Sequence, residues 1–180
     1  MDDPDGLLVR RARRGDADAF ARLVERHEPR QFTLAARVLG SKSEAEDAVQ
    51  EALIRVWKAL PRFREGSRFS TWLYRITLNC ALDIRAGRRA DPSELVAERA
   101  DPRDAFAASE LSGALQQALA EVEEPYRVAV VLHDVLGCSY AEIGEITGVP
   151  EGTVKSRLFR GRRDLGRLLG TSDGEGGSNG

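Results

Sequence analysis

Apolar residues recur at helical spacing along nearly the whole chain, and no run alternates like a strand between turn residues, so the pattern predicts an all-α protein. Asp16 is placed to cap a helix that uses Ala19, Phe20, Leu23 and Val24. Pro29 is expected to bend or divide that helix before Phe32, Leu34, Ala35 and Val38 carry the pattern to Gly40. Ser43 is the expected cap of the next helix, whose stripe of Ala45, Ala48, Val49, Ala52, Leu53, Val56, Trp57 and Leu60 ends at Pro61. That stripe leaves Asp47, Gln50, Glu51 and Arg55 on or near the outside. A loop over 62–68 leads to a helix from near Ser70, with Trp72, Leu73, Ile76 and Leu78 available for packing, that fades at Gly87.

After this point the periodicity lapses. Residues 91–109 combine two prolines with a surplus of acids and little periodic apolar content, the composition of a flexible linker. Helices are expected again over 111–122 and 126–136, followed by a helix carrying Ile143 and Ile146. Gly148, Val149 and Pro150 break that helix, and 151–169 restarts with Val154, Leu158, Leu165 and Leu168 facing inward, a helix-turn-helix. The expected organisation is two small helical domains, 1–90 and 110–170, joined by the acidic linker 91–109, with a disordered Gly/Ser tail over 171–180.

Charge changes the picture through its distribution rather than its sum. The chain has 27 Lys and Arg against 29 Asp and Glu, a formal net charge of -2, which argues against an unspecific nucleic-acid coat protein. Residues 63–89 are strongly basic, 91–110 mostly acidic, and 43–53 present Glu44, Glu46, Asp47 and Glu51. Cys80 and Cys138 belong to no metal-ligand spacing and read as small buried hydrophobes, so neither a metal nor a cofactor is expected. No run approaches a membrane span and the first residues lack a signal core, which gives the expectation of a cytoplasmic protein without membrane insertion.

Two segments carry nucleic-acid chemistry. In the second helix of the helix-turn-helix, Lys155, Arg157, Arg160, Arg162, Arg163 and Arg167 stand against the single acid Asp164, a composition suited to phosphates and base edges in a major groove. The bland alternative is a solvated amphipathic helix. Upstream, Arg62, Arg64, Arg68, Arg75, Arg85, Arg88 and Arg89 interleave with Phe63, Phe69, Trp72 and Tyr74, the combination that neutralises phosphates and stacks unpaired bases. Trp72 and Phe63 read more readily as core, since aromatics at helical spacing usually pack inward, whereas Phe69 and Asn79 are the stronger candidates for contact with bases.

Four stretches, GDADAFARLVERH, SEAEDAVQEALIRVWKAL, FREGSRFSTWLYRITLNCALDIRAGRR and EEPYRVAVVLHDVLGCSYAEIGEITGVPEGTVKSRLFRGRRDL, occur in the order and spacing of one family. Together they resemble the extracytoplasmic-function group of bacterial sigma factors, the two-domain promoter-specificity subunits of RNA polymerase. The resemblance implies that Asp47, Gln50 and Glu51 contact the clamp helices of core polymerase, with the flap as a further contact, and that 1–90 and 110–170 are the region 2 and region 4 domains. It further implies that Arg64, Arg68, Phe69, Trp72, Arg75, Asn79, Arg85 and Arg88 recognise and open the minus-ten element. Thr153, Lys155, Ser156, Arg157, Phe159, Arg160 and Arg163 would meet the minus-thirty-five element, although Phe159 also suits a core position. Promoter DNA and a cognate anti-sigma factor are the remaining implied partners. Leu53, Leu73 and Gly144 depart from the residues relatives often carry, namely Phe, a second Trp and Ala.

Two other functions remain open at this level. One is a helix-turn-helix regulator that binds closed duplex and uses its N-terminal domain for sensing or dimerisation. The other is an enzyme with Glu44, Asp47 and Glu51 as magnesium ligands and His27 as base, a weak case because carboxylates at helical spacing usually face solvent. His133 has no partner motif.

Overall fold

Gly15, in the left-handed region at φ 89°, turns the chain between its first two helices, and Asp16 then accepts a hydrogen bond from the Ala19 backbone N–H at 2.9 Å to start the longer of them. The computed structural model describes residues 5–64, 66–90 and 110–170, and for 89–90 and 110–112 the backbone alone. The linker expected over 91–109, the tail over 171–180 and the Arg89 side chain lie outside the described residues. The first half contains α1 (Gly6–Ala12), α2 (Ala17–Leu39), α3 (Lys42–Ala59), a 3-10 turn (Leu60–Arg62) and α4 (Phe69–Ala90). The second contains α5 (Glu110–Glu121), α6 (Glu124–Val130) running into a π-helical turn (Val131–Val135), α7 (Tyr140–Thr147) and α8 (Glu151–Leu168). No strand occurs among the described residues.

Several boundaries differ from the sequence reading. Pro29 does not divide α2, which runs on through it with Leu23, His27, Gln31 and Leu34 buried on both sides. Ser41 caps α3 instead of Ser43: Gly40 ends α2 at φ 75°, Ser41 is the first extended residue, and its hydroxyl accepts from the Glu44 N–H at 3.4 Å. Helix α4 runs past Gly87 to Ala90, and α1 has no counterpart in the expected elements. Leu168 is exposed; the inward surface of α8 is completed by Gly161, where an added Cβ would stand 2.6 Å from Val130 Cγ2 and 2.9 Å from the Tyr126 carbonyl oxygen.

Helices α2, α3 and α4 pack on one another, and α1 lies against α2. Val9, Leu23, Val56, Leu60, Phe63, Phe69 and Leu73 form a small core at one end of this bundle. The larger core does not stop at the domain boundary. It runs from Leu34, Val38, Ala45, Tyr74 and Leu78 through Leu119, Val128 and Leu132 to Ile143, Val154 and Leu158. Helix α7 rests on α4, and α5 on α2. Burial in this seam pushes the Tyr74 phenol up to about 12. Polar contacts span the same seam: Arg68 to Glu142 at 3.2 Å, Arg85 to Glu124 at 3.2 Å, Arg37 to Gln116 at 3.1 Å, and the Arg30 guanidinium to the Leu136 carbonyl.

Candidate nucleic-acid interface

The helix-turn-helix is built from α7, a left-handed Gly148 at φ 70°, and α8. A reciprocal capping box starts α7: the Glu142 N–H donates to Ser139 Oγ at 3.2 Å, and the Ser139 N–H donates to Glu142 Oε2 at 2.8 Å. Gly144 allows the turn to close, because an added Cβ would lie 2.9 Å from the Val149 carbonyl oxygen. Val154, Leu158, Gly161 and Leu165 face inward on α8, which turns Lys155, Ser156, Phe159, Arg160 and Arg163 to solvent, with Thr153 and Arg157 half-buried.

Phe159 is 70% exposed, which settles the core alternative for this side chain. An aromatic ring held so far into water on a basic helix is positioned for an external apolar group, such as a thymine methyl. The cations around it are ordered by neighbours rather than left loose. Arg160 donates to Tyr126 Oη at 2.8 Å and lies 5.6 Å from the Tyr126 ring centre. Arg162 makes two bonds to Asp134, at 2.9 and 2.5 Å, and Lys155 sits 5.8 Å from the Tyr140 ring centre. The hydrogen bond to Tyr126 and the Asp134 pairing raise the Arg160 and Arg162 guanidinium pKa values respectively.

The second basic segment is less uniform than its sequence suggests. Arg64, Arg75 and Asn79 are exposed, with Arg75 and Asn79 one turn apart on α4. Trp72 is half-buried against Phe63, ring centres 4.7 Å apart. Arg68 is exposed but paired with Glu142 on α7. Phe69 corrects the expectation of an outward stacking ring: it is 1% exposed, packed edge-on to Phe63 at 6.1 Å and tilted against His27 at 5.5 Å. As the first residue of α4 it faces the small core, which needs a large ring between Leu23, Leu60 and Leu73. Arg85 and Arg88 also depart from the role of DNA contacts. Arg85 donates to the Val38 carbonyl at 3.0 Å, and Arg88 to the Leu39 carbonyl at 3.4 Å and to Glu44. The final carbonyls of α2 have no intrahelical partners and lie at its negative dipole end, which draws both guanidinium groups inward.

On α3, Asp47, Gln50 and Glu51 all face solvent. Glu51 accepts from Arg55 Nε at 2.8 Å, and Arg55 also reaches Asp83 at 3.2 Å. The same face carries two exposed apolar groups, Ile54 and Trp57, that the inward-stripe reading of the sequence missed or misplaced. Their signal was present: positions 47, 50, 54 and 57 fall on one side of a helix. Beside them, Glu28, Pro29 and Phe32 of α2 and Glu46, Val49, Gln50 and Leu53 of α3 line an open groove with an apolar floor and acidic rim.

The residues of the hydrolytic alternative do not converge. Glu44 is engaged by Arg88, whereas His27 meets Asp5 at 2.6 Å. His133 is likewise a structural group, its Nδ1 lying 2.8 Å from the Cys138 carbonyl oxygen. No cluster of three or more metal-ligating side chains occurs among the described residues, and no described helix is long and apolar enough to cross a membrane.

Comparison with known proteins adds an independent finding. Residues 23–90 match the Sigma-70 region 2 family and residues 112–165 match Sigma-70 region 4. The chain is 36% identical to the ECF RNA polymerase sigma factor SigW of Bacillus subtilis, over 89% of this chain and 94% of that one. It is 36% identical to the ECF RNA polymerase sigma-E factor of Escherichia coli K12, over 89% and 92%. Among solved structures it is similar to CnrH in complex with the cytosolic domain of CnrY, at a TM-score of 0.73 and 28% identity over 94% of this chain and 99% of that one. It is also similar to the sigma factor RpoE in complex with the anti-sigma factor NepR from Bartonella quintana, at a TM-score of 0.71 and 27% identity over 85% and 98%.

Proposed function

The chain belongs to the extracytoplasmic-function sigma factors of bacterial RNA polymerase, and we propose that it divides promoter recognition between the two faces described above. It directs core polymerase to promoters without catalysing a reaction itself, working in the cytoplasm. Asp47, Gln50 and Glu51, with Ile54 and Trp57 as an apolar centre, form the core-polymerase surface. An acidic rim around exposed apolar groups suits a basic protein partner and repels DNA. Region 2 spans 1–90, region 4 spans 110–170, and 91–109 joins them.

Arg64, Arg68, Arg75 and Asn79 contact the minus-ten element, with Trp72 as the half-buried edge of the base pocket. Opening the duplex requires binding energy alone: a base held in a protein pocket offsets the few kcal/mol lost on unstacking it. Phe69 acts from beneath, fixing the start of α4. Thr153, Lys155, Ser156, Arg157, Phe159, Arg160 and Arg163 meet the minus-thirty-five element in the major groove. The observation that carries this reading is the pairing of chemically opposite faces on one small chain, an acidic-apolar face on α3 and a basic face bearing an exposed Phe159 on α8.

The two DNA elements are separated by roughly 25 base pairs, or about 85 Å along the duplex. Domains that share a core cannot reach both, so promoter binding requires α7 to leave α4. Residues 91–109 extend to at most about 65 Å, and the domains themselves supply the remaining reach. An anti-sigma factor would hold the chain in its closed arrangement, in keeping with the partners of the two solved structures. The test is core binding and run-off transcription by the Asp47→Ala, Gln50→Ala double variant. Core affinity should fall about tenfold or more, while DNA binding by the variant's second domain within the full chain stays unchanged. Unaltered core affinity would refute the assignment of this face.

A further inference from the structure

We propose that Tyr126, on α6 and outside the recognition helix, is a positioning residue that presets Arg160 for base recognition and so sets specificity at one upstream base pair. The inference rests on the reading of Arg160 as a base contact. Three observations carry it. Arg160 is exposed, yet its Nη1 donates to Tyr126 Oη at 2.8 Å and its guanidinium carbon lies 5.6 Å from the same ring. Tyr126 is itself half-buried and anchored, its backbone N–H donating to the Glu123 carbonyl at 3.0 Å. The two helices meet at the neighbouring position, since Gly161 approaches the Tyr126 carbonyl so closely that a Cβ there would lie 2.9 Å from its oxygen.

This arrangement addresses the main cost of using arginine to read a base. A solvated arginine side chain samples many rotamers, and a bidentate contact with guanine O6 and N7 requires one of them. The phenol oxygen accepts one Nη1 hydrogen, and the ring face attracts the same cation. The remaining N–H groups of the planar fork stay outward. Gly161 makes the arrangement possible, because any side chain at 161 would push α8 off α6 and carry Arg160 away from the ring. The ligand is a guanine-bearing base pair in duplex DNA. Phosphate contacts would gain little from such ordering, because they tolerate displacement of a cation.

The test uses the holoenzyme of the full chain with core polymerase, and a set of promoters in which each upstream base pair is replaced in turn. Discrimination is the ratio of open-complex formation on the parent promoter to that on each replacement. For Tyr126→Phe, which keeps the ring and loses the hydroxyl, discrimination should fall about tenfold or more at one base pair, as expected for one hydrogen bond to a charged group. The melting temperature and salt dependence should stay at parent values. Arg160→Ala should abolish discrimination at that same pair. If Tyr126→Phe retains full discrimination, or weakens all positions equally, the positioning role is overturned while Arg160 as a reader survives. If Arg160→Ala leaves every position unchanged, the reading of Arg160 falls and the role of Tyr126 falls with it.

Discussion

Phe69 and Phe159 each stand beside an arginine, and their surroundings assign them opposite work. Phe69 is enclosed by Phe63, Trp72 and His27, whereas Phe159 projects into water. Replacing Phe69 by Ala should cost about 3–5 kcal/mol in denaturant unfolding, since it empties a core site. Phe159→Ala should change stability by no more than about 0.5 kcal/mol and instead weaken binding to the upstream element. Equal stability losses for the two variants would contradict the assignment. The residue composition of the basic segments was legible in the sequence, but the direction each side chain takes was not. Phe69, Arg85 and Arg88 turn inward because of partners far away in sequence: Leu23 and Leu60 for the ring, the end of α2 for the guanidinium groups. The cysteines behave as their apolar context suggested. Burial pushes the Cys138 thiol up to about 11 and raises Cys80 as well. A raised thiol pKa keeps the folded form protonated, so this stabilising contribution holds below the unfolded thiol pKa and is lost as pH rises through the folded value. Alkylation at pH 8, followed by mass spectrometry, should therefore be slow at both thiols in native protein and fast in denaturant. Rapid native labelling would contradict their burial.

The helices themselves were the most legible elements, because an apolar stripe and a capping residue are local properties. Asp16 caps where its sequence context places it. Boundaries that depend on the neighbouring element were less legible: Ser41 replaces Ser43 because Gly40 has already turned the chain, and α2 runs on through Pro29. The contact between α6 and α8 left only a faint signal, Gly161, one of three glycines in a basic helix. Gly161→Ala should destabilise the second domain by about 1–3 kcal/mol through overpacking. Ser139→Ala should cost about 1 kcal/mol through loss of the capping box. Thermal unfolding checks both, and a Gly161→Ala protein with parent stability would contradict the close approach of the helices.

At the scale of the molecule, the sequence indicated two helical halves but not that they share a core. The seam is formed by residues from α2, α4, α5 and α7, more than twenty positions apart, and no local pattern reports such pairing. Its polar contacts engage Arg68 with Glu142, so the closed chain masks part of its own basic surface, and Arg85 with Glu124, which further ties the two halves together. Free protein should therefore bind promoter DNA weakly, and replacing Glu124 and Glu142 together by Ala should strengthen that binding several-fold. Unchanged affinity would show that the seam does not restrain the DNA surfaces. The division of recognition between two separated domains is tested most directly by one selection. Core polymerase loaded with this chain would transcribe a random promoter pool, and the active templates would be sequenced. Two enriched blocks at a fixed separation are predicted, the upstream one losing its preference at one base pair with Arg160→Ala and the downstream one lost with Arg75→Ala, Asn79→Ala. A single block, or none while a control sigma factor is active, would contradict the account.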